Sequence, residues 1–201
     1  MPEEGAGCRF RIAQFIPYLQ THGFDVTLRT LFTPEFFRLV YQPGRYVRKA
    51  TGFARLSLDH LLSLRDISQY DVVFMYREIF PIGPALVERF LAAGNRPPIV
   101  FDFDDAIFLP NVSDANRLIR VLKMPGKVGS NIQRSAHDVA GNEFLASYAR
   151  HYNDVVTVIP TSVDTTKFVP RSPGASDRRG GALVIGWIGS PTTATYIAGL
   201  D

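Results

Sequence analysis

Three carboxylates crowded at the end of an apolar run are the residues best suited to chemistry in this sequence. In the stretch 98–111, PIVFDFDDAIFLPN, the run Ile99 to Phe101 meets Asp102, Asp104 and Asp105 before Ile107, Phe108 and Leu109 restore apolar character. Carboxylates so spaced can move a proton, attack an electrophile or accept bonds from a hydroxyl-bearing ligand. They can equally cap the next turn and bond loop amides. A buried strand that empties into polar residues is what a parallel sheet shows at its carboxyl edge, where ligands collect in open α/β sheets.

The elements that must position them alternate along the chain. After Gln69 come a strand over Asp71 to Tyr76, a helix over Pro84 to Ala93, and a strand over Ile99 to Asp102. Helical pieces follow between Asn116 and Ser135, then a strand over His137 to Ala140, a helix over Asn142 to Arg150 and a strand over Val155 to Ile159. Apolar strands separated by helices of this length predict an α/β fold with a doubly wound parallel sheet. Right-handed crossovers would bring the strand ends, Arg77 and Glu78, Asp102 to Asp105, Gly141 and Asn142, Thr161 and Ser162, onto one edge.

Upstream, Ile12, Phe15, Ile16 and Leu19 have helical spacing, Gly23 closes that helix, and Asp25 to Leu31 alternates as a short strand does. Between Arg38 and Arg65, leucines and valines interleave with Arg38, Arg45, Arg48, Lys49, Arg55 and Arg65. This predicts one or two amphipathic helices, basic on the wet side. Such a face is either plainly solvated or rests on anionic lipid.

With 201 residues, 46% of them hydrophobic, the chain can bury one good core. No apolar run approaches the roughly 18 residues that would span a bilayer, and the start, MPEEGAGCRFR, lacks the apolar segment of a signal peptide. The expected location is the cytoplasm, with a peripheral position at the inner face of the membrane as an extension of it. A single cysteine, Cys8, and four histidines leave no disulfide framework and no Cys/His zinc pattern. A formal charge of +3 is too slight to indicate nucleic acid.

The organisation expected is a first domain over residues 1–160, a linker over 161–182 rich in Pro, Gly, Ser and Arg, and the start of a second domain over 183–201. In that last piece the run Leu183 to Ile188 breaks at Gly189 and Ser190, where backbone amides opening a helix can receive a phosphate. Neither GxGxxG nor a phosphate-loop lysine is present.

IVFDFDDAIF resembles the first strand of haloacid dehalogenase-like phosphatases, which would make Asp102 a nucleophile and Asp104 its acid/base partner with Mg²⁺. Ala106 stands where that family has Thr, and no downstream lysine and paired-aspartate strand end complete the site. The Asp-x-Asp also resembles the metal motif of GT-A glycosyltransferases, but the rest of the chain fits that fold poorly.

The order of the whole chain resembles something more specific. Arg9-Phe10-Arg11, Gln14 and Ile16-Pro17-Tyr18-Leu19, then Gly23-Phe24-Asp25-Val26, Tyr70-Asp71-Val72-Val73 with Arg77-Glu78, and Ala140-Gly141-Asn142 with Leu145-Ala146 look like the N-terminal half of a GT-B glycosyltransferase of the group 1, family 4-like kind. So does Val158-Ile159-Pro160-Thr161-Ser162-Val163-Asp164 with Lys167-Phe168, similar to that family's "IPNGVD". The resemblance implies two Rossmann-like domains, of which this chain holds the acceptor side without its first strand and only the start of the donor side. It implies transfer of a sugar from a nucleotide-sugar co-substrate to a glycan or lipid-linked acceptor hydroxyl in polysaccharide or glycolipid synthesis, retaining, with no bound metal and no other cofactor. Acceptor contacts would come from Arg11, Arg77, Glu78, Asn142 and Thr161, donor diphosphate contacts from Gly189 and Ser190. Asp102, Asp104 and Asp105 are the candidates for catalysis, and Arg77 pairs with Glu78 or attracts an anionic acceptor. These residues alone are expected to be inactive. The contrasting expectation is a non-catalytic Rossmann-like binding module. In either case Leu183 to Ile188 is apolar enough to fold back into the place of the absent first strand.

Overall fold

Four short apolar strands, β1 (Val73–Tyr76), β2 (Ile99–Phe103), β3 (His137–Ala140) and β4 (Val156–Val158), form one parallel sheet in the order β1-β2-β3-β4. The computed structural model describes residues 2, 5–81, 83–94, 96–109, 124, 126–170 and 186. Helices α1 (Ala6–Arg11), α2 (Ile16–Thr21), α3 (Pro34–Val40) and α4 (Tyr46–Ser63) precede the sheet. Helices α5 (Leu86–Leu91), α6 (Gly126–Arg134) and α7 (Glu143–Ala149) lie between its strands in the chain. The protein is therefore mixed α/β with a parallel sheet, as the alternation of patterns predicts. Local sequence sets the helix starts: Thr33 accepts a bond from Phe36 N at 3.3 Å ahead of Pro34, and Asn142 accepts one from Leu145 N at 3.0 Å.

Residues in register across parallel strands project to the same face. On one face Met75, Phe101, Phe103 and Ala140 are buried against Val128 and Ile132 of α6, Leu145, Ala146 and Ala149 of α7, and Leu64, Ile67 and Leu91. The other face carries Phe74, Tyr76, Val100, Asp102, His137 and Val139. Only the carboxyl half of that face is closely covered: Gly7 of α1 lies against the Tyr76 ring, and Arg11 reaches Asp102.

Asp138, on the apolar face, is fully buried. The Ser135 hydroxyl lies 2.7 Å from both Asp138 Oδ1 and the Ile132 carbonyl, and Asn153 Nδ2 donates to Asp138 Oδ2 at 2.7 Å. One hydroxyl proton serves two acceptors, so a protonated carboxyl, able to donate in its turn, fits better. Burial accordingly pushes Asp138 from the ordinary 3.8 up to about 6 against the pull of these bonds. A carboxyl raised on folding weakens the native state above its native value, here by about 3 kcal/mol at neutral pH, and that deficit disappears as pH falls toward 4. Wild type is therefore expected to gain stability relative to Asp138→Asn between pH 7 and pH 5, read from urea midpoints. A constant difference across that range would contradict the assignment.

Two expectations about the first third need correction. The residues Asp25 to Leu31 belong to no strand, and among the described residues their backbone makes no ladder bonds. Phe24 to Leu31 and Val72 to Tyr76 both line a largely apolar cavity of about 690 Å³. With Val73 N bonded to the Pro98 carbonyl and Arg77 N to the Asp102 carbonyl, the alternate groups of β1 face away from β2, and Phe74 is left 46% exposed. The single helix expected near residues 12–19 is instead α1, a 3-10 turn over Ala13–Phe15, and α2. As for the run expected to fold back into the first-strand place, Gly186 is exposed and in no strand, and the rest of Leu183 to Ile188 lies outside the described residues. The same holds for most of the linker and of the second-domain segment.

Candidate functional site

Because all four strands are parallel, their carboxyl ends share one rim, about 15 Å from β1 to β4 at the usual strand spacing. The rim collects Arg77 after β1, Asp104 and Asp105 after β2, Gly141 and Asn142 after β3, and Thr161 beyond β4. Gly141 is required there: a Cβ would stand 2.9 Å from Asp104 Cα, so only glycine lets the β3 end lie against the carboxylate loop.

The three aspartates divide into two arrangements. Asp102 points to the sheet face under α1, fully buried, and Arg11 grips it in a two-pronged pair: Nε donates to Oδ2 at 3.0 Å and Nη2 donates to Oδ1. Arg11 Nη1 also donates to the Ile159 carbonyl at 2.5 Å, tying α1 to the chain leaving β4. Burial pulls the Arg11 guanidinium down, yet its bonds and charge interaction with Asp102 win, so its proton is held more firmly than usual. Arg11, only 7% exposed, spends its guanidinium on Asp102 and the Ile159 carbonyl, and both Asp102 oxygens accept from it, while the pair borders the 690 Å³ cavity.

Asp104 and Asp105 stay at the rim and share Arg77. Arg77 adopts φ 57°, a left-handed backbone that arginine rarely takes and that costs of order 1 kcal/mol. In that conformation its amide still bonds the Asp102 carbonyl at 2.8 Å. Its guanidinium turns across the rim, Nη2 donating to Asp104 Oδ1 at 2.9 Å and also to Asp105 Oδ2. The expected Arg77–Glu78 pair does not form. Asp104 and Asp105 outcompete Glu78, which lies on the 690 Å³ cavity with its carboxylate 3.9 Å from Lys127 Nζ.

Tyr76 completes the cluster, and sequence reasoning missed it. Its hydroxyl donates to Asp104 Oδ1 at 2.8 Å, and burial pushes the phenol far above its ordinary value, so it remains a donor. Its place as the last residue of an apolar strand, directly before Arg77, was the available signal. Burial would raise Asp104, but the bonds from Arg77 and Tyr76 outweigh it and hold the carboxyl below its ordinary value. Asp105 is different: its side chain is 65% exposed, the most open acid of the three. Phe108, three residues on, stacks on Tyr148 of α7 at 3.7 Å between centroids and 8° between planes, fixing the loop that carries Asp105.

At the far end, Asn142 is exposed and spends its side-chain carbonyl on capping α7. Thr161 is exposed on the strap beyond β4, which is held by Gln14 Nε2 donating to Ser162 O at 2.9 Å and by Phe168 beside Phe10. Gly189 and Ser190 lie outside the described residues. Among the described residues no three His, Cys, Asp or Glu side chains are placed to share a metal ion, and no helix is long and apolar enough to cross a membrane. What the rim can do is offer a charged donor and acceptor side by side, Arg77 with Asp105, and an exposed amide, Asn142, at the end of β3.

Compared with family models, with curated proteins and with solved structures, the chain finds no match.

Proposed function

We propose that this chain is the acceptor-side half of a GT-B glycosyltransferase, with a Rossmann-like sheet whose carboxyl rim binds the hydroxyls of a glycan or of a lipid-linked sugar. The observation that carries the reading is Arg77, held in a strained backbone conformation so that it lies across the rim between Asp104 and Asp105. Strain of this kind concentrates where a ligand is held. A guanidinium with an adjacent exposed carboxylate provides donors and acceptors at the spacing that neighbouring sugar hydroxyls require.

The parallel strand order and the rim's four contributing ends support the same reading, as does the order of segments along the chain. In it, Arg77, Asp105, Asn142 and Thr161 meet the acceptor, Arg11 ties Asp102 at the end of β2 to the chain leaving β4, and Gly189 with Ser190 meet the diphosphate of a nucleotide sugar. Asp105, exposed and beside the acceptor, is the carboxylate placed to orient or deprotonate a hydroxyl. The two-pronged pair that engages both Asp102 oxygens favours this reading over a phosphatase, which would need Asp102 as its nucleophile.

Oligosaccharides titrated into the protein are expected to shift the amide resonances of Arg77, Asp105, Asn142 and Thr161. Arg77→Met should weaken that binding at least tenfold, the loss of about 1.5–3 kcal/mol for bonds from a charged donor. The 201-residue chain itself should turn over no nucleotide sugar at enzyme-like rates. Saccharides that leave the rim resonances unmoved would sink the proposal. So would magnesium-dependent phosphoester hydrolysis abolished by Asp102→Asn.

A further inference from the structure

Helix α4 is apolar on both sides. Its inner face, through Phe53, Leu56 and His60, turns toward the body of the protein, and Phe53 and His60 lie beside Phe32 and Phe80. Its outer face repeats at Val47, Ala54, Leu58, Leu61 and Leu62, at helical spacing over about 22 Å. None of its 18 residues is buried; Val47 is 79% exposed and Leu58 58%. The wet side is basic as the sequence pattern predicts, with Arg48 and Arg55 exposed, and the structure places leucines there as well. Leu61 continues the surface onto α5, because it lines a groove of about 540 Å³ together with Leu86 and Phe90, themselves 63% and 54% exposed. Apolar surface of this extent, rimmed by charge, marks an interaction site.

The rim's charge identifies the occupant. Arg38, Arg45, Arg48, Lys49, Arg55 and Arg65 flank the patch in sequence, Asp59 is the one acid between Arg38 and Arg65, and Arg96 lies over the Phe90 ring at 3.7 Å. Asp59 is matched by Arg55 at 3.8 Å, and among the described residues Arg45, Arg48 and Arg65 have no acidic partner within salt-bridge distance. An anionic bilayer surface offers both counterparts at once, with phosphate groups at the level of the arginines and acyl chains beneath them.

We propose that the outer face of α4 with α5 docks on an anionic membrane, leucines inserted and arginines at the headgroups. This does not depend on the sugar-transfer reading, since α4 contributes nothing to the rim. The test is co-sedimentation of the full chain with phosphatidylglycerol/phosphatidylcholine vesicles and with phosphatidylcholine alone. The protein should pellet with the first, at least tenfold more strongly than with the second, and less as salt rises. Leu58→Glu with Leu62→Glu should reduce partition roughly tenfold or more with circular dichroism unchanged, since both side chains are already in solvent. Should that variant misfold, Leu58→Trp gives an independent reading: quenching by brominated anionic lipid is expected. Failure to pellet, equal affinity for both vesicles, or a double variant that binds as wild type does would overturn the proposal. Self-association that the double variant abolishes, without any vesicle binding, would overturn it in favour of contact between copies.

Discussion

Replacing Arg11 with alanine is expected to destabilise the protein by about 3–5 kcal/mol, a large share of the 5–15 kcal/mol that holds a domain together. The substitution strands the Asp102 carboxylate, fully buried, without its two guanidinium bonds, and releases the Ile159 carbonyl at the same time. The sign of the pH dependence follows. Without the guanidinium, Asp102 is left with burial, the factor that raises it, and a carboxyl raised on folding destabilises the native state most where it would be ionised. The deficit of Arg11→Ala is therefore larger at pH 7 than at pH 5. Removing both charges, as Arg11→Met with Asp102→Leu, should recover most of the loss, because well-packed apolar groups often substitute for a buried pair with little change. Urea unfolding of the three variants at the two pH values decides it. A deficit below 1 kcal/mol, flat with pH, would mean that the pair is not the brace the geometry indicates.

Phe103→Ala should cost a similar amount, about 3–5 kcal/mol, but with a consequence at the rim. Phe103 has no exposed surface, its ring lies 5.4 Å from that of Phe101 between centroids, and its carbonyl receives Gly141 N at 2.9 Å, so it sits directly beneath the loop that bears Asp104 and Asp105. A cavity there loosens the one point at which β2, β3 and the carboxylates meet. Saccharide-induced shifts at Arg77 and Asp105 should weaken together with stability. By contrast, Asp105→Ala, at an exposed side chain, should change stability by under about 1 kcal/mol while weakening the ligand response. If Phe103→Ala unfolds early yet leaves the rim's response intact, the rim does not depend on the core below it.

The strands were legible because a parallel strand covered on at least one face reads as an apolar run with a polar end, and IVFDF and VFMY carry that pattern whatever surrounds them. The segment Asp25 to Leu31 carries a strand's pattern too. Whether it becomes a strand depends on a neighbour's edge, and among the described residues its backbone bonds to none. Pairing is a property of two segments, and alternation describes one.

The site divides along the same line. Side-chain chemistry in sequence order was enough to place Asp102, Asp104 and Asp105 at a strand end and to make Asn142 a helix cap, since each depends on residues a few positions away. Which charge meets which was decided by tertiary structure alone. Arg11 lies 91 positions from Asp102 and Arg77 lies 27 from Asp104, while the nearer candidate, Glu78, is turned to the cavity. The physical reason is that a charge in a low-dielectric interior takes the partner that the crossing of helix and sheet brings within 3 Å, and chain proximity contributes nothing to that energy. The alternation of apolar patterns thus pointed to a mixed α/β chain with a parallel sheet and to the strand ends that share its carboxyl edge. The packing of α1 onto the sheet decided that Asp102 is bound by Arg11, and the turn after β1 that Arg77 meets Asp104 and Asp105.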